Sequence, residues 1–145
     1  MALFVVERRT ALPPASAWER LTAWERHSGT VPLTRITVET PPPTGAGTRF
    51  TARTGIGRLA FADPMRVAVW EPPGGAGGAG RCRLEKAGRA VAGWAEIEVR
   101  AEGAGAYVVW REELRPRGVP RFADPVVRYV AARVFGRVVD ALLAG

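Results

Sequence analysis

Residues 124–145, DPVVRYVAARVFGRVVDALLAG, decide the fold. Asp124 suits an N-cap, because its carboxylate accepts from backbone N–H groups that a first helical turn leaves free, and Pro125 suits the first helical position. At about 100° per residue, Val127, Val130, Ala131, Val134, Phe135, Val138, Val139 and Leu142 fall on one broad arc. Tyr129, Arg133, Gly136, Arg137 and Asp140 fall on the other. Gly145 suits the left-handed position that closes a helix. A helix from Pro125 to Ala144 would run about 30 Å. An apolar face of that length needs a large partner.

The partner lies upstream, where the hydrophobic period changes to two. Ile36 and Val38 alternate with polar neighbours in a strand that starts near Leu33 and stops at Pro41-Pro42-Pro43. Further strands read over Thr48–Thr54, Met65–Glu71, Arg81–Lys86, Val91–Arg100 and Tyr107–Leu114, with a short Leu59–Phe61 segment before Asp63-Pro64. Glycine and proline turns separate them, which describes an antiparallel meander. Residues 2–10 alternate as a first strand. Pro13-Pro14 then opens a helix with Ala15, Trp18 and Leu21 on one face. Thr22 can cap a second short helical segment that carries Trp24 and His27 and ends at Ser28-Gly29. The expected class is α+β: a curved antiparallel sheet of about seven strands around a long C-terminal helix, with two short helices after the first strand. At 145 residues, one domain over 1–145 is expected, with no internal repeat.

The net charge of +7 comes from 21 basic residues, of which only Lys86 is lysine. Abundant alanine, glycine, proline and arginine resemble the codon bias of a GC-rich, actinobacterial genome. The arginines are scattered from Arg8 to Arg137, whereas a nucleic-acid site concentrates them, so no nucleic-acid partner is expected. Cys82 is the one cysteine, so it reads as a buried, inert thiol, and a His-poor, Cys-poor chain points to no metal and no cofactor. The apolar run at the N-terminus is short for a signal peptide, and no stretch approaches a membrane span. A cytoplasmic monomer or homodimer is the expectation. The glycine-rich loop Gly74–Gly80 and Gly55-Ile56-Gly57 join strands rather than open helices, so neither reads as a phosphate loop.

Several segments carry a family resemblance. Leu21-Thr22-Ala23-Trp24-Glu25-Arg26-His27 with Val31-Pro32-Leu33-Thr34-Arg35 resembles the helix-to-strand corner of actinobacterial START-like, polyketide cyclase/dehydrase-type proteins of the Bet v 1-like (SRPBCC) superfamily. Phe50–Gly55, Phe61–Met65 and Val109–Leu114 are similar in the same way. The resemblance spans nearly the whole chain. It implies the helix-grip fold, with a hydrophobic cavity between sheet and C-terminal helix entered near the short helices. It brings no shared catalytic set, because the superfamily includes cyclases, lipid and quinone binders and hormone receptors.

Within that frame, the cavity wall is assigned to Trp24, Phe50, Phe61, Trp70, Trp94, Val108, Trp110, Glu112, Tyr129, Val130 and Val134. On the strand Ala106–Leu114, Val108, Trp110, Glu112 and Leu114 share the face chosen as concave. Carboxylates are rarely fully buried, so Glu112 reads first as lying at that strand's wet end. Trp70 and Trp94 share strand faces with charged neighbours, and each can equally cover the sheet's outside. His27, Glu112 and Arg128 are the candidates for proton transfer. The bland alternatives are a histidine capping helical carbonyls and an arginine snorkelling from the first turn. Tyr129 is a candidate gate.

The leading reading is binding of a small hydrophobic or aromatic ligand, lipid- or polyketide-like, in an internal cavity. The alternative is a polyketide cyclase/dehydrase, and a second alternative is a protein-interaction module. The first needs an unfilled cavity, the second needs polar groups converging inside it, and the third needs arginines gathered into one patch.

Overall fold

In a computed structural model, residues 2–74 and 78–144 are described, and they form one seven-stranded antiparallel sheet gripped by a long helix. The order is β1 (Ala2–Thr10), α1 (Pro14–Thr22), a 3₁₀ segment (Trp24–Gly29), β2 (Thr34–Val38), β3 (Arg49–Thr54), β4 (Phe61–Glu71), β5 (Gly80–Ala87), β6 (Val91–Glu102), β7 (Gly105–Pro116) and α2 (Asp124–Ala144). Short 3₁₀ turns at Gly57–Leu59 and Arg121–Ala123 precede β4 and α2. Across the sheet the strands run β1-β7-β6-β5-β4-β3-β2. The expected α+β, helix-grip class is the class observed.

Most strand alternation survives intact. Phe4 and Val6 of β1, Phe50 and Ala52 of β3, Leu84 of β5, Ala95, Ile97 and Val99 of β6, and Val108 and Trp110 of β7 all face inward and are buried. Two local features depart from it. A bulge between Val67 and Val69 shifts the register of β4 against β5, so Val67 and Trp70 pair with the buried Leu84 and Cys82, while Val69 pairs with Arg83. Strict period two had separated Val67 from Trp70. Gly93 has φ +129°, and a Cβ there would overlap the Glu113 carbonyl, so only glycine lets β6 lie this close to β7.

The short Leu59–Phe61 segment and the Met65 strand are one strand, running straight through Asp63-Pro64. Pro64 pairs with Thr51 of β3, and pairing with β5 begins only at Met65, so the missing N–H falls where no ladder bond is required. In α1 the buried residues are Ala17, Trp18, Leu21 and Thr22, and Ala15 is exposed. Thr22 does not cap the next segment: its hydroxyl donates back to the Trp18 carbonyl at 2.8 Å.

Helix α2 starts at Asp124, one residue earlier than expected. Phe135 stacks on Phe4 at 5.5 Å and tilts against Trp110 at 5.7 Å. Gly136, placed on the polar arc by periodicity, is buried, because the Arg8 guanidinium crosses it to reach Asp140 at 2.7 Å. The far end is tied to α1, where Arg20 Nη1 donates to the Leu143 carbonyl at 2.9 Å. Early residues of α2 are not covered: Val130, placed on the apolar arc, is 51% exposed. The capping role expected of Gly145 lies outside the described residues, as does part of the Gly74–Gly80 loop (75–77).

Candidate functional site

Between the inner face of β2–β7, the 3₁₀ segment and the middle of α2 the core leaves a cavity of about 90 Å³. Its walls are aromatic. Trp24 stacks on Phe50 at 4.7 Å and 16°, His27 lies 5.8 Å from Trp24 and 5.9 Å from Trp110, and Phe135 closes the set from α2. Half-buried Val31, Ile36 and Thr54 form the margin.

One end of the cavity is polar. Lys86 of β5 donates to Asp63 Oδ2 of β4 at 2.6 Å, and its Nζ lies 3.9 Å from Glu112 Oε2 of β7. Glu112 is only 2% exposed, and its Oε1 accepts from Trp110 Nε1 at 3.1 Å. The expected wet end of β7 is therefore wrong for this residue. β7 runs on to Pro116 between β1 and β6, and Glu112 sits under α2 in mid-sheet. Burial pushes the Glu112 carboxyl up from its ordinary range, against the opposing pull of Lys86 and the Trp110 hydrogen bond. Burial alone would lower the Lys86 pKa, but Glu112 and Asp63 together carry it above the usual lysine value.

His27 is also drawn inside. A carbonyl can only accept, so the contact of Nε2 with the Leu21 carbonyl at 3.0 Å requires the proton on Nε2 and leaves Nδ1 as an acceptor. Burial lowers the pKa of the ring and keeps it neutral near pH 7. The helix-capping reading of His27 and its place on the cavity wall thus coexist.

Among the described residues, three buried side-chain polar atoms lack a hydrogen-bond partner: Trp24 Nε1, Asp63 Oδ1 and Glu112 Oε2. All three belong to residues that line this cavity. Buried polar groups are nearly always satisfied, so three unsatisfied atoms on the lining residues of one cavity set it apart from the rest of the core.

Of the residues assigned to the wall from sequence, Trp24, Phe50, Trp110 and Glu112 meet here, together with His27. Val108 is on the same strand face but wholly within the packed core. Trp70 faces inward through the β4 bulge and packs on Trp18 at 5.0 Å, away from the cavity. Trp94 lies on the outer face, where its indole N–H donates to Glu113 at 3.1 Å under the Arg83 guanidinium. Phe61 is exposed before the bend of β4. Tyr129 is 63% exposed and Val130 lies beside it, and with Val134 and Arg133 they border a shallow surface groove instead. Arg128 is exposed and contributes nothing to the cavity. Arg128, Tyr129 and Val130 miss because the helix's first two turns project past the cavity rather than over it, while Val134, in the third turn, packs against the core beside the groove.

Lys86 and Asp63 were missed. A signal existed: Cys82, Leu84 and Lys86 share one face of β5, so the chain's single lysine continues an apolar row. Among the described residues, no group of three or more His, Cys, Asp or Glu side chains is arranged to hold a metal ion, and no helix is long and apolar enough to cross a membrane.

No family model and no curated relative matches the chain. Solved structures do match in shape. TTHA0849 from Thermus thermophilus superposes with a TM-score of 0.74 at 14% identity, over 98% of this chain and 94% of that one. Protein CV1439 from Chromobacterium violaceum gives 0.67 at 14% identity over the same shares. Ara h 8.0201 gives 0.64 at 12% identity, over 99% of this chain and 98% of that one. The fold is thus the Bet v 1/START-like helix grip, a fold consistent with a ligand cavity. At these identities the likeness is one of fold alone.

Proposed function

We propose that this helix-grip chain binds a compact, largely aromatic small molecule that carries a hydrogen-bond donor. The observation that carries the reading is the trio of buried atoms without a hydrogen-bond partner, two carboxylate oxygens and one indole N–H, on residues lining one aromatic cavity; even Lys86 Nζ comes no nearer Glu112 Oε2 than 3.9 Å. A ring would lie against the Trp24–Phe50 stack and the Trp110–Phe135 pair, and an amine or hydroxyl on it would donate to Glu112 Oε2 or Asp63 Oδ1. At about 90 Å³ the space is well below the roughly 300–1,000 Å³ of sites for drug-sized ligands. A lipid or extended polyketide chain would enter only if α2 and the 3₁₀ segment moved apart.

Native mass spectrometry of the purified protein identifies what it retains. Titration calorimetry then compares phenols and aromatic amines with the unsubstituted rings. Donor-bearing rings should bind more tightly, and Glu112→Gln should weaken them by about tenfold or more, as for a lost hydrogen bond to a charged group. Equal binding of bare hydrocarbons, or no binding by either class, would refute the reading.

The convergence of Lys86, Asp63, Glu112 and His27 favours a second reading, a cyclase/dehydrase-type proton transfer. Glu112, whose carboxyl burial makes a weaker acid, is the candidate proton donor, and Nδ1 of His27 is the candidate acceptor. In that case His27→Gln should abolish turnover of a β-hydroxy or β-keto thioester while leaving its binding within about threefold.

A further inference from the structure

We propose that the end of the protein carrying the β3–β4 loop and the start of α2 docks on an anionic lipid bilayer. The segments there touch in sequence. Gly55 N–H donates to the Leu33 carbonyl at 3.0 Å, Gly88 abuts Ala62 and Pro64, and Arg117 N–H donates to the Ala90 carbonyl at 2.8 Å. From Arg117 the chain passes through the Arg121–Ala123 turn into α2.

This rim is apolar where a surface is ordinarily polar. Among the described residues, exposed Leu33, Ile56, Leu59, Phe61, Val119, Phe122 and Val126 all lie on the loops and element ends that make up this rim, whereas Leu3, Val5, Tyr129 and Val130 lie outside it. Leu59 is 86% and Phe122 85% exposed, each at the tip of a 3₁₀ turn, with Ile56 and Val126 beside them. The apolar residues stand on separate loops rather than in one continuous groove. A bilayer accepts such separate protrusions between its headgroups, whereas a folded protein partner needs a contiguous surface.

The charge agrees. Arg35 and Arg53 face each other across β2 and β3, and Arg58, Arg89, Arg117, Arg121 and Arg128 follow around the rim, all exposed. None of these seven forms an ion pair among the described residues. By contrast Arg8, Arg9, Arg66, Arg81, Arg83, Arg100, Arg111 and Arg115, elsewhere on the sheet, each meet a carboxylate. Arg20, Arg26, Arg49, Arg133 and Arg137 also show no ion pair among the described residues, so carboxylate-free arginines are not confined to the rim, but all seven rim arginines are of that kind against five of the thirteen elsewhere. Lipid phosphates supply the missing anions, and acyl chains receive Leu59 and Phe122.

Co-sedimentation of the full chain with vesicles tests this, using phosphatidylcholine alone or with about a third phosphatidylglycerol. Binding should require phosphatidylglycerol and weaken with salt. Leu59→Ser with Phe122→Ser should reduce it by at least about tenfold. The triple change Arg58→Gln, Arg89→Gln, Arg117→Gln should reduce it on the order of a hundredfold, while Arg66→Gln, Arg81→Gln, Arg100→Gln, which removes the same charge, should leave it within about threefold. Circular dichroism verifies that each variant is folded. Absence of binding, or equal loss in the two arginine triples, overturns the proposal. Tight binding of a homopolymeric RNA or polyglutamate that ignores the Leu59/Phe122 change, with no vesicle binding, overturns it in favour of a polyanionic partner.

Discussion

Replacing Lys86 by methionine isolates the polar end of the cavity. The Lys86 side chain is 4% exposed and faces two carboxylates, Asp63 at 2.6 Å and Glu112 at 3.9 Å. Methionine matches its length and removes the charge, so two buried carboxylates lose their common counter-ion. Removing one partner of a buried ion pair costs about 3–5 kcal/mol, because the remaining charge stays desolvated. At roughly 2–4 °C per kcal/mol for a chain of this size, the melting temperature should fall by about 6–20 °C. The loss should depend on pH. In the variant Glu112 loses the opposing pull of Lys86, so burial raises its pKa further, it binds a proton more readily folded than unfolded, and acidification stabilises the variant. The gap from wild type should therefore narrow between neutral pH and about pH 5. In the alkaline direction, the folded Lys86 pKa is raised above 10.5, so its contribution is complete below 10.5 and disappears as pH rises through the folded value. Urea unfolding followed by tryptophan fluorescence measures both limbs, and adding Glu112→Gln to Lys86→Met should restore about 1–2 kcal/mol. A loss below about 1 kcal/mol at neutral pH, or a gap that does not change with pH, would show that the ammonium is not the counter-ion of this pair.

Other outcomes are equally specific. His27 has a folded pKa below 6.5, so the stability gained from keeping it neutral is present above 6.5 and lost as pH falls from there through the folded value. His27→Gln keeps an N–H for the Leu21 carbonyl but cannot titrate, and should flatten that part of the stability–pH curve. Burial pushes the Cys82 thiol up to about 12, so the native protein should react with a disulfide reagent near pH 8 at least about a thousandfold more slowly than the urea-unfolded chain. Gly93→Ala should cost more than about 1 kcal/mol in urea unfolding, since alanine meets the Glu113 carbonyl at an unfavourable φ. Gly136→Ala should instead gain about 0.5–1 kcal/mol of helix propensity, because only the movable end of Arg8 lies in the way.

The fold was legible because its determinants are local and repeated. Phe50 with Ala52, Ala95 with Ile97 and Val99, and Val108 with Trp110 each announce an inner face by alternation alone. The Phe135–Leu142 stretch announces the helix that covers them. The site was legible only in part. Trp24, Phe50 and Trp110 could be assigned because large aromatics on an inner face have few other places to go. Trp70 and Trp94 could not be told apart, because the bulge at Val67–Val69 reverses the strand's facing and leaves no mark in the residue pattern.

The order of elements, the antiparallel meander and the gripping helix were thus determined by the sequence itself, through periodicity and turn chemistry acting over a few residues. Only the tertiary structure decided that Asp63, Lys86 and Glu112, on three strands and up to 49 residues apart, share one buried charge system. It likewise decided that seven arginines from four segments ring one apolar end. Both depend on register and curvature, which bring distant residues together through the sum of many backbone pairings. No short stretch of chain encodes that sum.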